Sequence, residues 1–176
     1  MMKFPMLTIA AAILVMAQGS KVAQVTVGDT PNSSAFASKV YFAGQPTEAG
    51  ISEYAKLGVT TVVNLRSAQE MEKVGFDEAA AASKAGMRYI NVPVGGTPPS
   101  DAELAKIFTA LDQPGSGKVL LHCASSNRVG MVWSIYRGIR QGVPEEDALA
   151  EGKAGGLKNP ALEKIAREKI EAAKRK

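Results

Sequence analysis

The chain has 176 residues, 45% of them apolar and 22% charged, a balance that predicts one domain with a real hydrophobic core and excludes a disordered, collagen-like or coiled-coil chain. The formal net charge of +4 is slight and scattered, and its only dense run is Lys174, Arg175 and Lys176 at the end of the chain, so no nucleic-acid partner is expected. A single cysteine and a single histidine exclude an intrachain disulfide and a dedicated soft-ligand metal cage; neither metal nor cofactor is expected.

The chain opens with Lys3, an almost uncharged run over 6–16, and small or polar residues at Ala17, Gln18 and Gly19. This reads as a secretory signal peptide over 1–19, too short in apolar residues to span a bilayer. A periplasmic or secreted protein without stable membrane insertion is the expectation. Residues 20–38, with Pro31, Asn32, Ser33 and Ser34, read as a mobile linker, and the domain is expected over 39–176.

Strands are expected over 40–43, 60–65, 88–93 and 118–122, each rich in Val, Tyr, Ile or Leu. Helices fall between them over 48–57, 76–85 and 102–111. The first two stop at Gly58 and Gly86, and the third stops before Pro114 and Gly115. Ser100 and Glu103 have the spacing of a capping box at the start of the third. Val129, Val132, Trp133, Tyr136 and Ile139 recur at helical spacing and mark a helix buried along one face. Two more helices are expected over 145–151 and 160–173. Strands alternating with helices predict an α/β fold, with a mostly parallel central sheet of four or five strands flanked by helices.

The segment that carries chemistry runs from the apolar strand over 118–122 through Cys123, Ala124, Ser125, Ser126 and Asn127 to Arg128, and then directly into the amphipathic helix. A strand end followed by a helix N-terminus is the usual ligand position of an open α/β sheet, because the helix presents unpaired N–H groups and the positive end of its dipole. Ala124, Ser125, Ser126 and Asn127 are small enough to let their N–H groups converge on one tetrahedral anion. Arg128 would grip two oxygens of that anion with its planar fork. Cys123 at the base of the nest would be favoured as thiolate, the form that attacks. His122 points to the opposite face if the strand continues, so its expected part is to support the loop from behind.

His122, Cys123 and Arg128 at a helix start resemble the active-site signature of the cysteine-dependent tyrosine and dual-specificity phosphatases. The resemblance extends through Ala43-Gly44-Gln45-Pro46, the stretch from Val59 to Arg66 with Glu70, and the run from Tyr89 to Pro93. Over nearly the whole expected domain the chain is similar to the bacterial β-lactamase-hydrolase-like phosphatase group. The resemblance implies a hydrolase of phosphotyrosine or small phosphomonoesters, with a phosphorylated small molecule or phosphoprotein as partner. Cys123 would form a phosphocysteine while Arg128 and the loop amides hold the phosphoryl oxygens. It also implies a general acid on the loop over 94–101, where Asp101 is the only carboxylate; the plain reading of Asp101 is a helix N-terminal charge. Arg66 and Glu70 would pair and prop the site from below.

Two features depart from the family pattern. Four residues separate cysteine from arginine where tyrosine phosphatases have five, and Val129 stands where a Ser or Thr usually follows the arginine. The shorter loop is also the size found in rhodanese-type sulfurtransferases, whose cysteine carries a persulfide. That chemistry and an inactive phosphate-binding module remain the alternatives.

Overall fold

A computed structural model describes residues 21–112 and 117–175. The expected signal peptide and the turn at Pro114 and Gly115 lie outside the described residues. Six strands form one sheet: β1 (Val22–Gln24), β2 (Ser34–Phe36), β3 (Val40–Ala43), β4 (Val59–Asn64), β5 (Arg88–Asn91) and β6 (Lys118–His122). Their order is β1-β2-β3-β6-β4-β5. The contacts β3–β6, β6–β4 and β4–β5 are parallel, whereas β1 and β2 join antiparallel on the β3 side.

The first two strands correct the expectation of a linker. Residues 22–36 fold back as a hairpin along β3, and Val22, Val27, Ser33, Ser34 and Ala35 are buried. Their turn-forming composition encodes the hairpin connection, with Asn32 in the left-handed region at φ 53°. The sheet therefore has six strands instead of four or five.

Alternation along the central strands sorts the core into two layers. Tyr41, Ala43, Val62 and Leu120 face α1 (Glu48–Lys56) and α3 (Glu78–Lys84), where Ile51, Tyr54 and Ala82 cover them. Phe42, Val63, Val119 and Leu121 face the opposite layer, built by α4 (Asp101–Leu111), α5 (Asn127–Ile135), α6 (Glu145–Ala154) and α7 (Pro160–Lys174). A short α2 (Ala68–Met71) follows β4, with a full capping box between Ser67 and Glu70.

The helix α5 is buried nearly all round, not along one face: Val129 to Ile135 are all buried. Gly130 and Gly152 let α5 and α6 meet backbone to backbone, since a Cβ at Gly130 would stand 2.4 Å from Gly152 O. After Ile135 the helix widens into a π turn, Tyr136–Arg140. The wider turn rotates the stripe out of register, which leaves Ile139 exposed while Tyr136 stays buried. Trp133 Nε1 donates to Glu151 Oε2 at 3.0 Å, and Arg137 pairs with the same carboxylate, so the polar atoms drawn into this crossing are satisfied.

Candidate active site

The carboxyl ends of β3, β6 and β4 lie side by side, and the loop after β6 sits between those after β3 and β4. That puts Cys123 at the centre of the edge where open α/β sheets bind ligands. Alternation along β6 carries Cys123 to the α5 side with Val119 and Leu121, and His122 to the α3 side with Leu120. Cys123 is fully buried at the base of the loop, while Ala124 and Ser125 are exposed above it.

The loop is held from both flanks. Cys123 N–H donates to Ala43 O, and Gln45 N–H to Ala124 O. Gly44 keeps this approach close, because a Cβ would lie 3.0 Å from Ala124 O and from the Pro31 side chain and would press the two segments apart by a few tenths of an ångström. Ser126 takes a left-handed conformation, φ 67°, just before α5, and its buried hydroxyl donates to Gly155 O at 2.7 Å. Asn127 Oδ1 accepts from the N–H groups of Lys158 and Asn159, tying the loop to the start of α7. Among the described residues the N–H groups of Ala124 and Ser125 meet no acceptor. Those of Asn127, Arg128 and Val129 open α5, where a helix supplies none.

Arg128 is clamped. Its Nη2 donates to Glu70 Oε1 at 2.6 Å and its Nη1 to Glu70 Oε2 at 3.0 Å; Nη1 also meets Val94 O at 2.9 Å and Leu65 O at 3.4 Å. The Glu70 hydrogen bonds push the guanidinium pKa further up against its burial, and the neighbouring Cys123 sulfur adds to the rise. In the other direction, Arg128 is the main cause that holds the Glu70 carboxyl down to about 2. Nε and the second N–H of Nη2 are left over by these bonds, and they share one edge of the guanidinium.

Arg66 and Glu70 do meet, at 3.5 Å from Nε to Oε1, and Arg66 Nη2 also donates to Glu70 O. The stronger partner of the Glu70 carboxylate is nonetheless Arg128, so the acid clamps the loop arginine directly instead of propping the site from below. Asp101 opens α4 beside the Ser100 cap, is 77% exposed and pairs with Lys169 of α7. The bonds that assemble around Cys123 and Arg128 come instead from Glu70, Leu65 and Val94. The loop expected to carry an acid thus reaches the site through the Val94 carbonyl.

Three further residues of the site had no role assigned from sequence, although Gln45 and Asn64 lie in stretches that carry the family resemblance. Gln45 accepts from Arg66 Nη1 at 2.6 Å, and a polar residue in a Gly-Gln-Pro turn directly after a strand was the available clue. Asn64 is fully buried at the end of β4; its Oδ1 accepts from Arg66 N–H and its Nδ2 reaches Glu78 Oε2 and Tyr89 OH. A polar residue closing an apolar strand was its clue. Glu78 looks in sequence like any solvated helix acid, yet it is buried behind the loop. His122 Nε2 lies 2.8 Å from Glu78 Oε1, off the line of a hydrogen bond, so that Glu78 Oε1 and both ring nitrogens lack an aligned partner.

Residues 35–139 match the family model described as "Beta-lactamase hydrolase-like protein, phosphatase-like domain". The chain is 32% identical over 121 residues to the Beta-lactamase hydrolase-like protein of Xylella fastidiosa (strain Temecula1 / ATCC 700964), an overlap of 68% of this chain and 28% of that protein. It is 28% identical over 120 residues to the dual specificity protein phosphatase TpbA of Pseudomonas aeruginosa (strain UCBPP-PA14), covering 67% of this chain and 51% of TpbA. The chain thus spans about half the length of TpbA and less of the Xylella protein. The crystal structure of P. aeruginosa TpbA in complex with pTyr superposes with a TM-score of 0.67 at 22% identity, covering 90% of this chain and 93% of that one. With the family model matching more than half of its length, the chain belongs to the phosphatase-like domain family of the β-lactamase hydrolase-like proteins.

Proposed function

We propose that the protein is an exported cysteine-dependent phosphatase that hydrolyses phosphotyrosine or small phosphomonoesters. The observation that carries the reading is a buried cysteine at the end of the central strand, beneath amides without acceptors and beside an arginine whose fork is anchored on one side and open on the other. TpbA, solved with pTyr, supports the substrate class.

In the proposed reaction the phosphoryl oxygens sit against the loop N–H groups and the free edge of Arg128, where fixed donors meet charge as it spreads over the equatorial oxygens. The Cys123 sulfur attacks phosphorus, a P–S bond forms, and the P–O bond to the leaving group breaks. The leaving oxygen departs with the bonding pair. Water then attacks phosphorus, the P–S electrons return to sulfur, and phosphate is released. Because Asp101 is committed to the α4 terminus and Lys169, no step is routed through it, and aryl phosphates, whose oxygens leave without protonation, are the favoured substrates.

Purified protein should hydrolyse p-nitrophenyl phosphate, vanadate should block it, and Cys123→Ser should reduce turnover to background. Retained activity in that variant would overturn the reading. If the preparation makes thiocyanate from thiosulfate and cyanide instead, the sulfurtransferase chemistry is the correct one. Export through residues 1–19 predicts a mature N-terminus near Ser20 in protein recovered from outside the cytoplasm, readable by intact mass.

A further inference from the structure

The first turn of α3 holds an acid whose place the helix does not require. Asp77 already caps it, with Oδ1 accepting Ala80 N–H at 2.9 Å, so the acceptor favoured at a helix N-terminus is supplied without Glu78. Yet the Glu78 side chain is only 1% exposed. An apolar side chain would fill the same space without the cost of desolvating a carboxyl group. One Glu78 oxygen and both ring nitrogens of His122 still lack an aligned partner, an arrangement that stability alone disfavours.

The neighbours of Glu78 supply a reason. β3, β6 and β4 are adjacent and parallel, with Ala43 and Asn64 level with His122 on either side. Glu78 reaches the ends of all three strands. Oε2 accepts from Asn64 Nδ2 at 3.1 Å, where β4 ends, and from Gln45 Nε2 at 3.4 Å, in the turn after β3; Oε1 lies 2.8 Å from His122 Nε2, where β6 ends. Each contact leads on to a group of the site. His122 is peptide-bonded to Cys123. Gln45 N–H donates to Ala124 O at 3.2 Å, and Gln45 Oε1 accepts from Arg66 Nη1 at 2.6 Å. Asn64 Oδ1 accepts Arg66 N–H at 2.8 Å, and Arg66 Nη2 donates to the backbone oxygen of Glu70, whose side chain clamps Arg128.

We propose that Glu78 is a positioning residue for phosphoryl transfer at Cys123, acting through His122, Gln45 and Asn64. In-line attack needs sulfur, phosphorus and leaving oxygen aligned. The sulfur is placed by the end of β6, whereas the phosphoryl oxygens are placed in part by Arg128, which the residues after β4 hold. A carboxyl group that spans both strand ends keeps nucleophile and clamp in one frame. The role rests on the phosphatase reading for its effect on rate, and on geometry alone for the placement of the loop.

Three variants separate placement from packing and from charge. Glu78→Leu keeps much of the volume and removes the polar contacts, Glu78→Asp keeps the acid one methylene short, and Glu78→Gln keeps the length and an acceptor for Asn64 and Gln45. With p-nitrophenyl phosphate, Glu78→Leu should lower kcat about 100-fold and Glu78→Asp at least about 10-fold, with KM little changed because the loop amides and Arg128 remain. Glu78→Gln should recover most of the loss. If Glu78→Leu does not fold, the Asp and Gln variants decide alone. Wild-type kcat per folded molecule in Glu78→Asp would overturn the role, and so would a Glu78→Gln as slow as Glu78→Asp. A measurement independent of turnover is the NMR spectrum of Glu78→Asp, in which the backbone amides of residues 123–128 and of Glu70 should shift together; shifts confined to α3 would overturn the placement. Should the wild type hydrolyse no phosphomonoester, the phosphatase reading fails and these spectra alone judge Glu78.

Discussion

Ser126 occupies a conformation that glycine adopts freely, and it does so fully buried at the join of loop and α5. The left-handed backbone of a non-glycine residue costs on the order of 1 kcal/mol, offset by the hydroxyl bond to Gly155 O. Ser126→Ala keeps the strain and loses the bond, so it should lower stability by about 1–2 kcal/mol in denaturant melts; Ser126→Gly, which relaxes the backbone, should lose less. Glu70 sets the second residue-scale expectation. Its carboxyl pKa is lowered from 4.5 to about 2, mainly by Arg128, so its contribution to stability is complete above pH 4.5 and is lost as pH falls toward 2. Stability followed between about pH 5 and 2 should therefore fall more steeply in the wild type than in Glu70→Gln. At neutral pH the same variant releases one side of the Arg128 fork, and a misplacement of about 1 Å should lower kcat for p-nitrophenyl phosphate by roughly 100-fold.

Among the elements, the β1–β2 hairpin and α5 do the most to fix the site. The hairpin covers the free edge of β3 and brings Pro31 against the Gly44 turn, where Pro31 O accepts Gly44 N–H. A truncation starting at Lys39 should leave β3 as an open edge and lose the burial of Val22 and Val27, each worth about 1.5–3 kcal/mol as an upper bound. Loss of the cooperative melt or aggregation on concentration is the expected outcome. In α5, Gly130→Ala would drive a Cβ into the Gly152 carbonyl and should cost about 1–3 kcal/mol through overpacking.

These elements also show where the sequence was readable. The ends of β3 and β6 were legible to the residue because continuous apolar runs stop at turn or loop residues. The hairpin was not, since three-residue strands with polar alternation carry almost no periodic signal. In the site, Cys123 and Arg128 were readable from local chemistry, and Glu70 was named with a different partner. The roles of Gln45, Asn64 and Glu78 were opaque because their partners come from tertiary contacts that no local pattern encodes.

At the scale of the whole molecule, the hairpin, the central sheet and the α5–α6 layer converge on one side chain. Trp133, the only tryptophan, has ring centroids 4.9 Å from Phe36 of β2, 4.9 Å from Phe42 of β3 and 5.4 Å from Tyr136. Its indole N–H bonds to Glu151 of α6. A domain tied together at such a node should unfold as one unit. Thermal transitions followed by Trp133 fluorescence and by far-ultraviolet circular dichroism should coincide, and separated midpoints would show that the hairpin melts on its own.

The solitary thiol has a consequence for survival under peroxide. A sulfenic acid formed at Cys123 finds no second cysteine in the chain to resolve it, so rescue falls to condensation with a neighbouring backbone nitrogen or to a thiol supplied by the surroundings. Where neither arrives in time, further oxidation to the sulfinic acid is irreversible without a dedicated reductase.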